Sequence, residues 1–198
     1  MLKTRGLSLL AAAAIVLAGC ADNSPMVRSE KDVSYGDPKA VEVATIDFGS
    51  TDLQMIAEEM SRSLAQSGVL RGRPVIQVYD VQNKTAEYID TRSVTDSIKN
   101  QLMKSGVARF ASDNTRMQSQ VDQLKLQNDS GLYKESTVAK TGNMIAAKYR
   151  LEGTLTSINK KTKNIKDVYY KFTLELFDVE SGLSEWMDEK EIRKTQNR

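Results

Sequence analysis

"DVYYKFTLELFDV", residues 167–179, alternates with a period of two and decides the fold. Val168, Tyr170, Phe172, Leu174 and Leu176 fall on one side of an extended chain, and Tyr169, Lys171, Thr173 and Glu175 on the other. Successive side chains of a strand point to opposite faces, so this pattern predicts a long strand with one buried and one wet face. Outward from it, "ESG" (180–182) is a hairpin turn into "LSEWMDEKEIRK" (183–194), whose charge density suits an edge strand. Trp186 could lie on either face. On the other side "YRLEGTLTSI" (149–158) is a third strand, joined through residues 159–167, which are rich in Lys and Asn. The C-terminal part is therefore expected to be a three-stranded meander.

Upstream the period changes to that of helices. "GSTDLQMIAEEMSRSLAQSG" (49–68) sets Leu53, Ile56, Ala57, Met60 and Leu64 on one face, with Ser50 or Thr51 able to cap its start and Gly68 its end. "RPVIQVYDV" (73–81) is a β-branched run after a loop and reads as a strand. In "DTRSVTDSIKNQLMKSG" (90–106), Asp90 or Thr91 caps a helix, Val94, Ile98 and Leu102 recur every four residues, and Gly106 terminates it. "VARFA" (107–111) is a short strand. Asp113 then caps a helix carrying Met117, Val121 and Leu124, and "STVAKTGNMIAAKY" (136–149) is expected to form one more helix. The fold class expected from this order is α/β of the α+β kind: a two-layer sandwich, one mixed sheet with helices on one face and a C-terminal β-meander.

Composition narrows the chemistry. The chain of 198 residues has one Cys and no His. It can form no internal disulfide, no thiolate zinc cluster and no Ser-His-Asp or Cys-His site, so catalysis could come only from carboxylates. The paired carboxylates Glu58-Glu59 and Asp188-Glu189 are sequence neighbours that point in different directions on a helix or strand, and they read as solvated surface rather than an acid-base dyad. Arg71-Gly72-Arg73-Pro74 precedes a strand and lacks the Lys-Ser/Thr of a phosphate loop, so it is read as a plain loop. Met55, Met60 and Met117 at helical spacing read as core rather than metal ligands. No catalytic residue and no metal site are expected.

The N-terminus has Lys3 and Arg5 followed by an uncharged, mostly apolar run over residues 6–18. That is the layout of a secretory signal, too short for a transmembrane helix of about 20 residues. Its end, Leu17-Ala18-Gly19-Cys20, resembles the bacterial lipobox. The resemblance implies cleavage between Gly19 and Cys20, with a diacylglycerol and an N-acyl chain on Cys20 as the only non-protein groups. Ala21 follows the Cys where an Asp is associated with inner-membrane retention, so the same resemblance points to the outer membrane. The expected division is a signal at 1–19, a lipidated tether at 20–40 and a globular periplasmic domain at 41–198. The tether is polar, holds two of the three prolines and shows no period. Fully stretched it reaches at most about 70 Å. Loss of the signal removes two basic residues and leaves 26 Lys+Arg against 26 Asp+Glu, a neutral chain with no electrostatic case for nucleic acid.

With helices on one side of the sheet, Arg150, Glu152, Thr154, Tyr169, Lys171 and Thr173 are expected on the open side. Such a polar and aromatic face suits solvent and also suits a docked protein, because Tyr and Arg are enriched in binding hot spots.

Residues 74–106, "PVIQVYDVQNKTAEYIDTRSVTDSIKNQLMKSG", place N-x-T at Asn83 and Thr85 between a strand and a helix ending in Gly. Together with "MIAAKYRLEGTLTS" (144–157) and the "SG" turn before Trp186, they resemble the LpoB-type lipoprotein activators of penicillin-binding proteins over roughly residues 45–190. The resemblance implies a fold similar to the N-terminal domain of TolB. It also implies a monomeric, non-enzymatic outer-membrane lipoprotein that binds a bifunctional class A penicillin-binding protein and stimulates peptidoglycan synthesis. The alternative is a lipoprotein of an envelope assembly or secretion system, since curli-secretion lipoproteins carry a similar domain. Lys160, Lys161, Lys163, Lys166 and Lys171 in the meander argue against lipid-facing hairpins. A carboxylate-based wall hydrolase is the third possibility.

Overall fold

The computed structural model describes Asp37 and residues 44–197, and the side chains of all of these except Asn114 and Thr115. The signal at 1–19, Cys20 with its cleavage site, and the tether at 20–40 other than Asp37 lie outside the described residues.

The strands are β1 (Val75–Val78), β2 (Gln82–Lys84), β3 (Arg109–Phe110), β4 (Tyr149–Lys161), β5 (Ile165–Asp178) and β6 (Ser184–Asn197). They make one sheet in the order β3-β1-β4-β5-β6. β1 runs parallel to both neighbours, and β4, β5 and β6 form the antiparallel meander. The meander strands run longer than the apolar alternation, so β4 and β5 pair from Tyr149↔Asp178 to Lys161↔Lys166. The expected joining segment at 159–167 shrinks to a tight turn closed by the Thr162 N–H on the Ile165 carbonyl at 2.8 Å. Backbone pairing there continues past the point where side chains report it.

Three α-helices accompany the sheet: α1 (Ser50–Gln66), α2 (Thr91–Lys104) and α3 (Asn114–Asp129). α1 contributes Ile56, Met60 and Leu64, and α2 contributes Val94, Ile98 and Leu102, all fully buried. They pack on the sheet face that carries Leu151, Leu155, Tyr170, Phe172, Leu174 and Leu176. That single core explains why the period-two and period-four patterns were so regular: both report the same buried surface. Gly153 lies on this face opposite Leu174, where an added Cβ would sit 2.3 Å from the Thr173 carbonyl oxygen.

The helix ends correct one expectation and support two. α1 is capped by Gly49, and both Ser50 and Thr51 are already inside the helix. The Asp52 carboxylate, only 2% exposed, turns back to accept the Gly49 N–H at 2.8 Å. An acidic side chain at the third helical position thus does what a capping hydroxyl would otherwise do. For α2 the cap is Asp90, which accepts the Arg92 N–H at 3.0 Å. For α3 it is Asp113, which accepts the Arg116 N–H at 2.8 Å.

β6 is the far edge of the sheet, as its charge predicted, and two of its lysines point inward beneath α1. Lys194 pairs with Asp52 and Lys190 with Glu59. Glu59 is therefore a bridge between layers, whereas Glu58 does sit at the surface, 3.6 Å from Arg62. Trp186 stands opposite Leu176 and lies half-buried against the core, on the helical face. Met60 is core, Met117 half-buried, and Met55 is 40% exposed, contrary to the expectation for it: it lies away from the buried stripe of α1.

Two further differences concern less patterned stretches. β2, which the sequence does not announce, pairs Gln82, Asn83 and Lys84 with Thr154, Leu155 and Thr156 of β4, and all three of its residues are exposed. The expected helix at 136–149 is absent; only a 3₁₀ turn at Glu135–Thr137 forms. Gly142 in the middle takes a φ of +80°, which ends any helix there, and Met144 and Ile145 stay exposed at 48% and 63%. α3 keeps the predicted cap, yet none of its described side chains is buried.

Candidate functional site

The open side of the sheet collects all six residues expected there. Arg150, Glu152 and Thr154 come from β4, Tyr169, Lys171 and Thr173 from β5, and each is half-buried. Pairing sets Thr154 opposite Thr173, and it places Tyr169 beside Ile158 and Lys171 beside Thr156. β6 then adds Met187, Glu189, Glu191 and Arg193 opposite Glu175, Thr173, Lys171 and Tyr169. These β6 residues were not singled out from the sequence. Their signal was the exact register of the last hairpin, which sequence alone leaves open by a residue or two.

The middle of this face is a lattice of paired charges. The Lys171 ammonium lies 2.6 Å from Glu189, and that hydrogen bond raises the lysine above its usual value. The Tyr169 hydroxyl donates to the Glu191 carboxylate, which pushes the phenol up to about 12. Arg193 donates to both oxygens of Asp167 at 3.1 and 2.8 Å, and Thr195 adds a bond at 2.9 Å. Those donors hold Asp167 below the ordinary carboxylate range. Ile158 and Met187, 57% and 58% exposed, flank the lattice as apolar side chains. Charged side chains ordered by one another next to exposed apolar ones present a surface with little rotamer entropy left to lose on docking.

At the β1 end the character changes. Arg150 lies in a row with Gln77 and Phe177, and its guanidinium carbon sits 5.6 Å from the Tyr79 ring centre and 5.2 Å from that of Phe177. Its one ion pair is a 3.4 Å contact with Glu152.

Other candidate features have structural work. Asn83 and Thr85 close the loop between β2 and α2: Asn83 donates to the Glu87 carbonyl at 2.9 Å and accepts from the Thr85 N–H and hydroxyl at 3.0 and 2.8 Å. The closed loop aims the Glu87 carboxylate at the Tyr170 hydroxyl in the core and at the Phe48 N–H, 3.0 Å away. Burial, with Glu87 as acceptor, pushes the Tyr170 phenol far above its ordinary value. The adjacent carboxylates diverge, with Glu59 on Lys190 and Glu189 on Lys171. Among the described residues no three His, Cys, Asp or Glu side chains gather as metal ligands would, and no helix is long and apolar enough to cross a membrane.

A family model described as the peptidoglycan-synthase activator LpoB matches residues 52–192. No curated protein matches the chain in sequence. Among solved structures the chain is similar to the LpoB C-terminal domain from Salmonella enterica, at 17% identity and a TM-score of 0.44, over 71% of this chain and 98% of that one. It is similar to the LpoB C-terminal domain from Escherichia coli at 20% identity and a TM-score of 0.41, covering 69% and 94%. The lipoprotein GNA1162 from Neisseria meningitidis is a further similar structure, at 15% identity and a TM-score of 0.39, covering 62% and 83%. The matched residues begin in α1 and end in β6, and the chain belongs to the LpoB family of peptidoglycan-synthase activators.

Proposed function

We propose that this chain is a lipid-anchored, non-enzymatic regulator that binds a class A penicillin-binding protein in the periplasm and raises its glycan polymerisation and cross-linking. The observation that carries this is the family match over residues 52–192, which takes in all three helices and the whole sheet up to Ile192. Cys20, acylated after cleavage behind Gly19, anchors the protein in the outer membrane, and the segment at 20–40 is its tether. The signal charge, the apolar length and the Cys position together support that reading.

The docking surface is the open face of the meander. It bears Tyr169, Lys171 and Thr173 at its centre, Arg150, Glu152 and Thr154 along β4, and an apolar margin of Ile158 and Met187. Tyr and Arg on such a face are the residue types that anchor protein interfaces. The test is affinity of the mature protein for a purified class A penicillin-binding protein. Thr173→Arg projects a long cation from the middle of the face and is expected to weaken binding at least tenfold with thermal stability unchanged. Undiminished binding would remove the face from the interface, and no binding by the parent protein would remove the partner.

A further inference from the structure

Beside the β1 end of the open face lies a cavity of about 350 Å³ that shares Arg150 alone with the proposed docking surface. Gln77 of β1, Tyr79 just after it and Ala111 just after β3 form its floor, on the open side of the sheet. Its walls are small or apolar: Met117 from α3, Ile145, Ala146 and Ala147 ahead of β4, and Val179 in the last turn.

Two observations identify what it would take. The first is Arg150. The rings of Tyr79 and Phe177 lie 5.6 and 5.2 Å from its guanidinium carbon, and its Nε is buried without a hydrogen-bond partner. Among the described residues its one ion-pair partner is Glu152, between side chains 41% and 39% exposed. A guanidinium set against two rings and short of acceptors suits a planar, bidentate anion. Asp178 also lines the pocket; its Oδ1 accepts the Glu180 and Ser181 N–H groups at 3.0 and 2.9 Å and the Ser181 hydroxyl at 3.2 Å, and among the described residues it makes no ion pair with Arg150. The second observation is the backbone of Ile145, Ala146 and Ala147. It forms no helix or strand, and among the described residues no other main-chain group hydrogen-bonds to it. Unpaired main-chain groups along an apolar wall recognise another peptide's main chain.

We propose that this pocket binds a peptide carboxylate, with Arg150 pairing the acid and residues 145–147 pairing the adjoining main chain. The carboxylate could be an acidic side chain within a protein segment or the free end of a short peptide. The test follows amide NMR shifts of the mature protein with three probes: acetyl-Ala-Glu-Ala-amide, acetyl-Ala-Ala as the free acid, and acetyl-Ala-Gln-Ala-amide. The expected result is binding of at least one acid, with shifts confined to residues 77–79, 111, 145–150 and 177–179, and at least tenfold weaker binding of the glutamine peptide. The glutamate peptide alone would assign an internal side chain, the free acid alone a chain end, and both acids a site that accepts either; each supports the pocket. Arg150→Gln should weaken binding at least tenfold, and Ala146→Leu, at an exposed position, should block it if Arg150→Gln does not fold. Failure of both acids at millimolar concentration, equal binding of the glutamine peptide, or full affinity in a folded variant would overturn the proposal. None of these results depends on whether a class A penicillin-binding protein docks on the open face.

Discussion

Residue by residue, the determining positions are those where one side chain has a single geometric option. Gly153 is one: with the Thr173 carbonyl oxygen 2.3 Å from where a Cβ would lie and Leu174 Cδ1 at 3.1 Å, β4 approaches β5 too closely for any side chain on the inner face. Gly153→Ala is expected to cost about 1–3 kcal/mol by overpacking, read as a fall in the urea midpoint. Tyr169 is another. The native state holds its proton on the bond to Glu191, so its folded value of about 12 lies above the ordinary 10. A group whose folded value is raised contributes stability below its unfolded value and loses it as pH climbs through the folded one. The contribution is therefore present below pH 10 and disappears between about 10 and 12. A spectroscopic titration of tyrosinate should lose one late-titrating phenol in Tyr169→Phe, and Glu191→Gln should return that phenol toward 10. Tyr169 titrating at its ordinary value in the parent protein would contradict the Glu191 bond.

Among the elements, legibility followed burial. α1, α2, β4 and β5 could be read because each puts a regular apolar row into the one core, and β6 because its charge density suits an edge. β2 could not, since Gln82, Asn83 and Lys84 join the sheet through their backbone and bury no side chain in the core. The false helix at 136–149 failed for the complementary reason: it has apolar residues but no core surface left to bury them, and Gly142 interrupts it. Glu59 read as a solvated charge, and only the packing of α1 over β6 shows that its pair with Lys190, like that of Asp52 with Lys194, ties an edge strand to the helical layer. The open face was legible as a set of β4 and β5 residues, while its β6 third depended on register. α3 has a sound cap and none of its described side chains is buried, so its helical bonds rest chiefly on local terms. Its amides are expected to exchange with solvent at least tenfold faster than those of α1 and α2 in hydrogen-exchange measurements. Equal protection would show that α3 belongs to the same cooperative unit.

For the molecule as a whole, the proposed anchor and the proposed docking face make a geometric demand. A tether of about 70 Å at full stretch limits how far from the membrane the globular domain can work. Deleting residues 25–38 should leave stimulation of a purified partner intact and abolish activity in cells, whereas equal activity in cells would show that reach is not limiting. The central claim is that the chain acts on a class A penicillin-binding protein without chemistry of its own, and one measurement tests it most directly. It is the rate of glycan-chain polymerisation from lipid-linked precursor by that purified synthase, with and without the mature protein. The expected result is a severalfold rise that saturates with added protein, with no turnover when the protein is supplied alone. An unchanged rate at saturating protein, or consumption of precursor by the protein alone, would contradict it.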